Sequence, residues 1–158
     1  MQMKIRRAQP DDAEVLASVA RRSIQISASP WYSQAHLDQW ASAFSGKSVL
    51  GAIADSVVLV AEDADCVRGF ASLVASPTVR CELNLLYVDP HFTGRGVARA
   101  LIDAVEEQAR VNDVAELWVD ASIPAAIVFE RLGYQVRERY SKRLGELTYE
   151  NTWLSRRL

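Results

Sequence analysis

The sequence predicts an α/β fold, of the α+β kind, in which a mixed sheet is covered by helices. Three observations support this class. Residues 57–75 read as two apolar strands joined by a polar turn, which predicts a hairpin. Residues 81–119 alternate strand, helix and strand, which is typical of a parallel crossover unit. Residues 134–154 form two further strand-like runs around a turn at Gly145-Glu146, so a second antiparallel pair closes the chain.

Composition limits the classes of function. With 158 residues, of which 49% are hydrophobic, the chain predicts a single domain over residues 1–158 that needs no disulfide or metal. A net charge of −2 disfavours a general nucleic-acid surface. No apolar run reaches membrane-spanning length, and the polar start does not resemble a signal peptide, so we expect a cytoplasmic protein with no membrane partner. Cys66 and Cys81 have no paired spacing, and we expect both to be small buried apolar residues.

The elements before the hairpin are one strand and two helices. Residues 3–7 alternate like a short strand, and a helix follows Pro10. That helix must end before Pro30, because a proline disfavours helical backbone at the preceding residue. Ser33 is placed to cap a second helix. Residues 47–54 show a weaker apolar periodicity, which predicts one or two further helical turns.

The elements after the hairpin alternate between strand and helix. Ser76-Pro77-Thr78 breaks the chain, and the mostly apolar run 81–88 predicts a central strand. A helix then runs from Gly96 to near Asn112, where an exit turn is expected. After the next strand, Ser122–Gly133 predicts another helix that begins at a serine cap and ends at a glycine.

The loop that follows the central strand has the features of an anion-binding cradle. Asp89-Pro90 ends the strand, and Gly94 and Gly96 allow bare backbone to approach a ligand. The unpaired N–H groups of the helix that follows, together with its dipole, point back at these glycines. Arg95 and Arg99 add positive charge. A plain strand-to-helix loop with solvent-facing arginines is the alternative interpretation.

Two other phosphate-binding folds fit less well. A dinucleotide fold needs a third glycine where this chain has Arg99, and it needs two repeated crossover halves. A nucleotide-triphosphatase loop needs Gly-Lys followed by Ser or Thr after its glycines, which Gly94-Arg95-Gly96 lacks.

Three motifs together resemble the GCN5-related N-acetyltransferase (GNAT) family. They are Leu86-Tyr87-Val88-Asp89-Pro90, Thr93-Gly94-Arg95-Gly96-Val97-Ala98 and Phe129-Glu130-Arg131-Leu132-Gly133-Tyr134. Within the family, residues 27–40 and 119–123 resemble the bacterial YafP-like subgroup. The resemblance covers nearly the whole chain. It implies a mostly antiparallel mixed sheet, splayed between its fourth and fifth strands and flanked by helices on both faces.

The same resemblance implies that acetyl-CoA lies in the splay as a co-substrate, with no metal. The residues that it assigns to acetyl-CoA are Leu86, Tyr87, Val88, Thr93, Gly94, Arg95, Gly96, Val97, Ala98, Arg99, Ser122 and Phe129. Thr93 departs from the long polar residue of the family loop, but the backbone donors remain. Ser122 replaces a frequent asparagine, and it also serves as a helix cap.

Glu82 is the candidate general base, because it has the same offset from the glycine loop as the base glutamate of several family members. The alternative is a strand-edge carboxylate in water. The demand on a base depends on the acceptor. Deprotonating a lysine-type ammonium of pKa about 10.4 at pH 7 costs roughly 4.6 kcal/mol, whereas an α-amine near pKa 8 costs about 1.4 kcal/mol.

The family's general acid is a tyrosine on the last helix, and Phe129 takes its place here. A CoA thiolate of pKa about 8.5 leaves at a cost of about 2 kcal/mol at pH 7, so the loss slows the reaction by up to roughly thirtyfold. Tyr134, Tyr140 and Tyr32 are the available replacement hydroxyls, and Tyr134 is the one predicted to be catalytic.

Four residues of the 31–40 region, Trp31, Tyr32, His36 and Trp40, are predicted to bind the acceptor. Core packing and a homodimer interface are alternatives for the same aromatic area. The predicted function is therefore an N-acetyltransferase that moves the acetyl group to a primary amine of a small molecule or peptide, by direct transfer in a ternary complex. The alternative is a catalytically weak GNAT-fold protein that binds acetyl-CoA as a sensor or a partner-binding module.

Overall fold

A seven-stranded sheet in the order β1-β2-β3-β4-β5-β7-β6 carries the fold. The computed structural model describes residues 2–75 and 80–158, so the predicted break at Ser76-Pro77-Thr78 lies outside the described residues. The strands are β1 Met3–Arg7, β2 Val57–Asp63, β3 Cys66–Val74, β4 Glu82–Val88, β5 Glu116–Ala121, β6 Gln135–Leu144 and β7 Leu147–Arg157. The helices are α1 Ala13–Arg22, α2 Gln34–Ala41, α3 Gly46–Asp55, α4 Val97–Val111 and α5 Ile123–Arg131. A π-helical segment, Ser23–Ser27, extends α1.

The strand pairing confirms the predicted mixed and mostly antiparallel sheet. β2 and β3 form the first hairpin, and β6 and β7 form the closing one. Only β4 and β5 pair in parallel among the described strands, and α4 is the crossover between them. β4 is the middle strand of the sheet, as its apolar composition predicted.

The core lies on both faces of the sheet. On one face, α4 contributes Leu101, Ile102 and Val105, and α5 contributes Phe129. On the other face, apolar residues of α1 and α3 cover Val58, Val60 and Phe70. Alternation along β2 sends Leu59 to the first face and Val60 to the second, as expected for a strand buried on both sides.

Local capping chemistry sets the helix boundaries. The Ser33 side chain accepts a hydrogen bond from the His36 N–H at the start of α2, which confirms the predicted cap. The weak pattern at 47–54 understated α3, which has ten residues. Ser45 and Ser48 form a reciprocal capping box at its first turn, and this stabilises a helix whose apolar periodicity alone is modest.

Two expectations drawn from composition meet different outcomes. Cys81 is half-buried, but Cys66 is exposed, so the expectation that Cys66 is buried was wrong. Cys66 begins β3 directly after the hairpin turn, where backbone geometry and not hydrophobicity sets exposure. In residues 2–75 and 80–158, no helix is both long enough and apolar enough to cross a membrane.

The parallel pair β4 and β5 opens almost at once. Their register contains a single residue pair, Glu82 with Trp118, and one further bond runs from the Trp118 N–H to the Cys81 carbonyl. Beyond Glu82 the strands diverge, which confirms the predicted splay. A β-bulge adds to the divergence, because Leu83 pairs with Leu73 and Leu85 with Ser72, which leaves Asn84 as the extra residue of β4.

Candidate active site

A cavity of about 430 Å³ lies in the gap between β4 and β5. The β4 wall consists of Leu83, Asn84, Leu86, Tyr87 and Val88, and the β5 wall consists of Val119, Asp120, Ala121 and Ser122. Because the strands have separated here, the backbone groups of β4 that face the gap have no strand partner. An extended ligand can pair with them as an added strand would.

The glycine loop closes one end of this cavity. Thr93 and Ala98 line it, and between them Gly94 and Gly96 have φ values of +75° and +83°. These left-handed values favour glycine. Gly96 is the N-cap of α4, so the unpaired N–H groups of the first helical turn lie beside the loop. The structure therefore brings the two glycines and the first-turn N–H groups of α4 together at the cavity, and anion binding there stays a prediction.

Only part of the predicted cofactor set lines the cavity. Leu86, Tyr87, Val88, Thr93, Ala98, Ser122 and Phe129 do so. The side chains of the other members point elsewhere. Val97 is buried in the core, and Arg99 lies 3.9 Å from Asp103 on the exposed surface of α4. Arg95 stacks over the Phe92 ring, and the Thr93 hydroxyl donates to the Pro90 carbonyl.

A buried carboxylate fixes the loop to the rest of the fold. Asp89 is 7% exposed and accepts from the His91 N–H, which caps the short turn before the glycines. Its other oxygen lies 2.9 Å from the Arg22 guanidinium at the end of α1. The Asp89 N–H also donates to the Arg68 carbonyl of β3. Contacts with α1 and with β3 thus both fix the position of the chain where it enters the glycine loop.

The far end of the cavity has an aromatic wall. Tyr32 and Trp40 line it as predicted, and their rings meet edge to face at 5.5 Å. Tyr149 of β7 completes the wall. Trp31, which was predicted to lie there too, is 43% exposed and lies outside the lining. The homodimer alternative for this region stays a prediction.

His36 was also expected at the acceptor and lies outside the lining. Its ring nitrogens contact Ser33 Oγ and the Thr148 carbonyl, so it joins α2 to the β6–β7 hairpin. Two more contacts reinforce this junction. Gln39 Nε2 donates to the Leu144 carbonyl, and the Tyr149 hydroxyl lies 2.7 Å from Gln39 Oε1. Since Gln39, Leu144 and Tyr149 line the cavity, this junction closes its far end.

Two carboxylates lie near each other where the gap between β4 and β5 begins, one on the cavity wall and one beside it. Asp120 lines the cavity and accepts from the Tyr140 hydroxyl at 2.6 Å and from Asn151 Nδ2 at 3.0 Å. Glu82, the predicted base, is the first residue of β4. It pairs with Trp118 of β5 just before the two strands separate, and it lies outside the cavity lining. Burial raises the pKa of Glu82, and the negative charge of Asp120 raises it further, against an opposing effect of Arg80. Glu82 therefore holds a proton more readily than an ordinary glutamate.

Tyr134 does not reach the site. It is 3% exposed, stacks edge to face on Phe129, and donates its hydroxyl to Glu106 at 2.6 Å. Glu106 is itself buried and is paired with Arg156. The hydroxyl thus satisfies a buried carboxylate in the core and lies away from the cavity, so the catalytic role of Tyr134 stays a prediction.

Tyr32 is the predicted hydroxyl that does reach the cavity. Its oxygen accepts from the Ile123 N–H at 3.0 Å, at the first turn of α5 beside Ser122. Burial raises the pKa of Tyr32, so the group keeps its proton at neutral pH. Ser122 itself caps α5 by accepting from the Ala125 N–H, and it remains on the cavity wall.

Several lining residues were missed from the sequence. Asn84, Asp120, Lys142, Tyr149 and Asn151 lie on β4, β5 and the closing hairpin. A sequence signal existed for Asp120, because a carboxylate that interrupts an apolar strand is unusual. The hairpin residues gave none, since their alternation does not say which face meets the cavity. No three His, Cys, Asp or Glu side chains within the described ranges come together as metal ligands.

Comparisons with known proteins point to one family. Residues 28–145 match the acetyltransferase (GNAT) domain model. The chain is 34% identical over 133 residues to the N-acetyltransferase YafP of Escherichia coli, which covers 84% of this chain and 81% of that one.

Solved structures show the same fold. A GCN5-related N-acetyltransferase from Rhodopseudomonas palustris is 30% identical, with a TM-score of 0.89 over 100% of this chain and 99% of that one. The PaiA N-acetyltransferase of Thermoplasma acidophilum, solved with coenzyme A, has a TM-score of 0.82 at 20% identity and covers 100% of both chains. With the splayed strands, the glycine loop and the matching domain, the chain belongs to the GNAT family of acetyltransferases.

Proposed function

We propose that this protein transfers the acetyl group of acetyl-CoA to a primary amine of a small molecule. One observation carries the proposal. A single cavity runs from the glycine loop, lined by Thr93 and Ala98, to an aromatic end lined by Tyr32, Trp40 and Tyr149. A phosphate-bearing donor at the loop and an acceptor at the aromatic end meet between β4 and β5.

The residues fit acetyl-CoA at the loop end. Gly94 and Gly96 leave open space where a Cβ would lie, so a pyrophosphate can approach their backbone. The gap-facing backbone of β4 supplies hydrogen-bond partners for the amide arm of the cofactor. Phe129 and Val128 add apolar area on the opposite wall. The coenzyme A bound to the PaiA protein supports the same ligand here.

We assign the base role to Glu82. Acetyl-CoA, when bound, supplies an activated thioester, and the acceptor amine must be neutral to attack it. A raised pKa makes Glu82 a stronger proton acceptor than an exposed glutamate. Asp120 places negative charge on the cavity wall, which attracts an ammonium group to the site before its proton is lost.

We assign the missing acid role to Tyr32. Its hydroxyl lies on the cavity beside Ser122, and Phe129 offers no proton. The Tyr32 oxygen accepts from the Ile123 N–H, so the hydroxyl proton itself serves as a hydrogen-bond donor. A protonated phenol at this position can hydrogen-bond a departing thiolate.

Release of free thiol from acetyl-CoA tests the proposed activity. The wild-type protein should release thiol above background with some member of an amine panel of amino acids, polyamines, aminoglycosides, aryl amines and peptide N-termini. Glu82→Gln should lower kcat by about a hundredfold, the usual scale for loss of a general base. Glu107→Gln, on the exposed face of α4, is the matched control and should leave kcat unchanged. Tight CoA binding without thiol release from any amine would instead establish a sensor or binding module.

A further inference from the structure

Two charged side chains of opposite sign line the cavity, and only one of them is satisfied. Both oxygens of Asp120 accept hydrogen bonds, from Tyr140 and from Asn151. Lys142 lines the same cavity and is half-buried. Within residues 2–75 and 80–158, its ammonium has no ion pair and no side-chain hydrogen bond. An unpaired ammonium on the cavity wall is therefore available to bind an anionic group of a ligand through a charge-assisted hydrogen bond.

The position of Lys142 places it at the acceptor end. It lies on β6 opposite Tyr149 of the aromatic wall. It is also two residues after Tyr140, the residue that donates to Asp120. Tyr140 reaches across β7 to Asp120 of β5, so Asp120 and Lys142 lie on the same side of the cavity wall, where β5 meets the closing hairpin. The glycine loop lies at the opposite end of the cavity, where Thr93 and Ala98 line it.

The enclosure of this end limits acceptor size. Gln39 and the carbonyl of Leu144 are hydrogen-bonded across it, and Tyr149 contacts Gln39 from the other strand. The cavity of about 430 Å³ must also hold the acyl arm of the donor. The space left over suits a molecule of amino-acid size.

We propose that the acceptor is an amine that also carries a carboxylate, an amino acid, and that Lys142 binds this carboxylate. The inference rests on the proposed function for the identity of the site as an acceptor site. The ammonium group of the ligand faces Asp120, and its carboxylate faces Lys142. Diamines and polyamines are disfavoured, since their second cation would meet Lys142. The protein would thus select a short acceptor that carries a positive charge at one end and a negative charge at the other.

Calorimetric titration of amines into CoA-saturated protein tests the inference without any need for turnover. The probes are two matched pairs in which a carboxylate is replaced by an alcohol: L-leucine with L-leucinol, and γ-aminobutyrate with its amino alcohol. In at least one pair, the ligand with the carboxylate should bind about tenfold more tightly than the alcohol. A tenfold difference in Kd is typical of one charge-assisted hydrogen bond. Lys142→Met should remove that preference and leave the alcohol's affinity unchanged. Lys142→Arg should keep most of the preference.

A matched control separates the site from general charge. The chain has three lysines, and Lys47→Met changes an exposed lysine of α3, so it should leave the preference intact. Equal binding of both members of each pair would overturn the inference, as would failure of both carboxylates to bind at millimolar concentration. A Lys142→Met protein that loses CoA affinity but keeps the carboxylate preference would assign the lysine to the donor instead. If no amine caused thiol release, the proposed acetyl transfer would be wrong. The calorimetric titration would still show whether the protein prefers the carboxylate ligands and whether that preference depends on Lys142.

Discussion

Glu82 illustrates a conflict between stability and chemistry at a single residue. Its pKa is raised by burial and by Asp120, so the folded state favours the protonated carboxyl more than the unfolded state does. Above the raised pKa the carboxylate is ionised in both states, and the folded state then bears the cost of burying the charge. Proton binding to Glu82 therefore stabilises the folded state fully when the pH is below the ordinary glutamate pKa. This stabilisation is lost as the pH rises through the raised pKa of Glu82 in the folded protein.

This predicts that Glu82→Gln is more stable than the wild type at pH 7, because glutamine carries no charge to desolvate. The difference in Tm should shrink as pH falls and vanish below about pH 4, where both chains carry a neutral group. Thermal unfolding followed by circular dichroism across this range measures it. The assigned pKa shift would be contradicted if the Tm of Glu82→Gln minus that of the wild type were smaller at pH 7 than at pH 4.

The same shift fixes the pH dependence of activity. A base works only when it is deprotonated, so kcat/KM should rise with pH through the raised pKa of Glu82. The acidic limb should therefore lie above the ordinary glutamate range. A pH profile of thiol release by the wild type measures this limb. A limb at or below the ordinary range would show that Glu82 is not the base.

Two tyrosine variants separate chemistry from packing. Tyr32→Phe removes a hydroxyl on the cavity wall and should lower kcat by roughly tenfold. Tyr134→Phe removes the hydroxyl bond to buried Glu106 and should destabilise the fold by about 1–3 kcal/mol while kcat is preserved. Steady-state kinetics and urea unfolding on both variants give the comparison. The reverse pattern would return the catalytic role to Tyr134.

At the scale of elements, the turn from β4 into α4 depends on backbone geometry. Gly96 has φ of +83° but has open space at its Cβ position, so an alanine would be strained in the backbone without a clash. Gly96→Ala should cost roughly 1–2 kcal/mol of stability and weaken CoA binding. Gly51→Ala is the control, since Gly51 lies inside α3 with open space and an ordinary φ, and it should gain about 0.5–1 kcal/mol. Unfolding and CoA titration of both variants test this, and a Gly96→Ala protein with unchanged CoA affinity would argue against the cradle.

The junction of α2 with the β6–β7 hairpin is an element-scale device for shaping the acceptor end. Tyr149→Phe removes the hydroxyl that contacts Gln39 and the His36 carbonyl but keeps the ring on the wall. We expect KM for the amine to rise several-fold while CoA affinity stays the same, because the donor lies at the other end. Separate KM values for the amine and for acetyl-CoA make the distinction. An equal rise in both would mean that the junction supports the whole cavity.

How far the sequence predicted these features depends on their range. The glycine loop and the crossover unit were predictable, because strand, turn and helix are contiguous and their chemistry is local. Asp120 gave only a local signal, a carboxylate in an apolar strand, and Lys142 gave none, since its place on the cavity wall is set only when the closing hairpin folds beside β5. The position of Tyr134 in the core was not predictable for the same reason. Its partner Glu106 lies on another helix, and nothing in the local sequence shows that the hydroxyl is already engaged.

For the whole molecule, the splayed sheet couples ligand binding to stability. The two halves, β1 to β4 and β5 to β7, share a single paired position, Glu82 with Trp118. A ligand that bridges the gap joins the halves and binds only the folded chain, so CoA should raise Tm in proportion to the logarithm of its concentration.

The central claim is that the gap between β4 and β5 holds the donor, with its phosphates on the glycine loop. Amide hydrogen exchange with and without CoA tests this most directly. Residues 86–88 and 96–99 should be protected by CoA, because their N–H groups gain partners, while β1 and β2 should exchange as before. Unchanged exchange in these two segments under saturating CoA, or protection confined to the rest of the chain, would contradict the account.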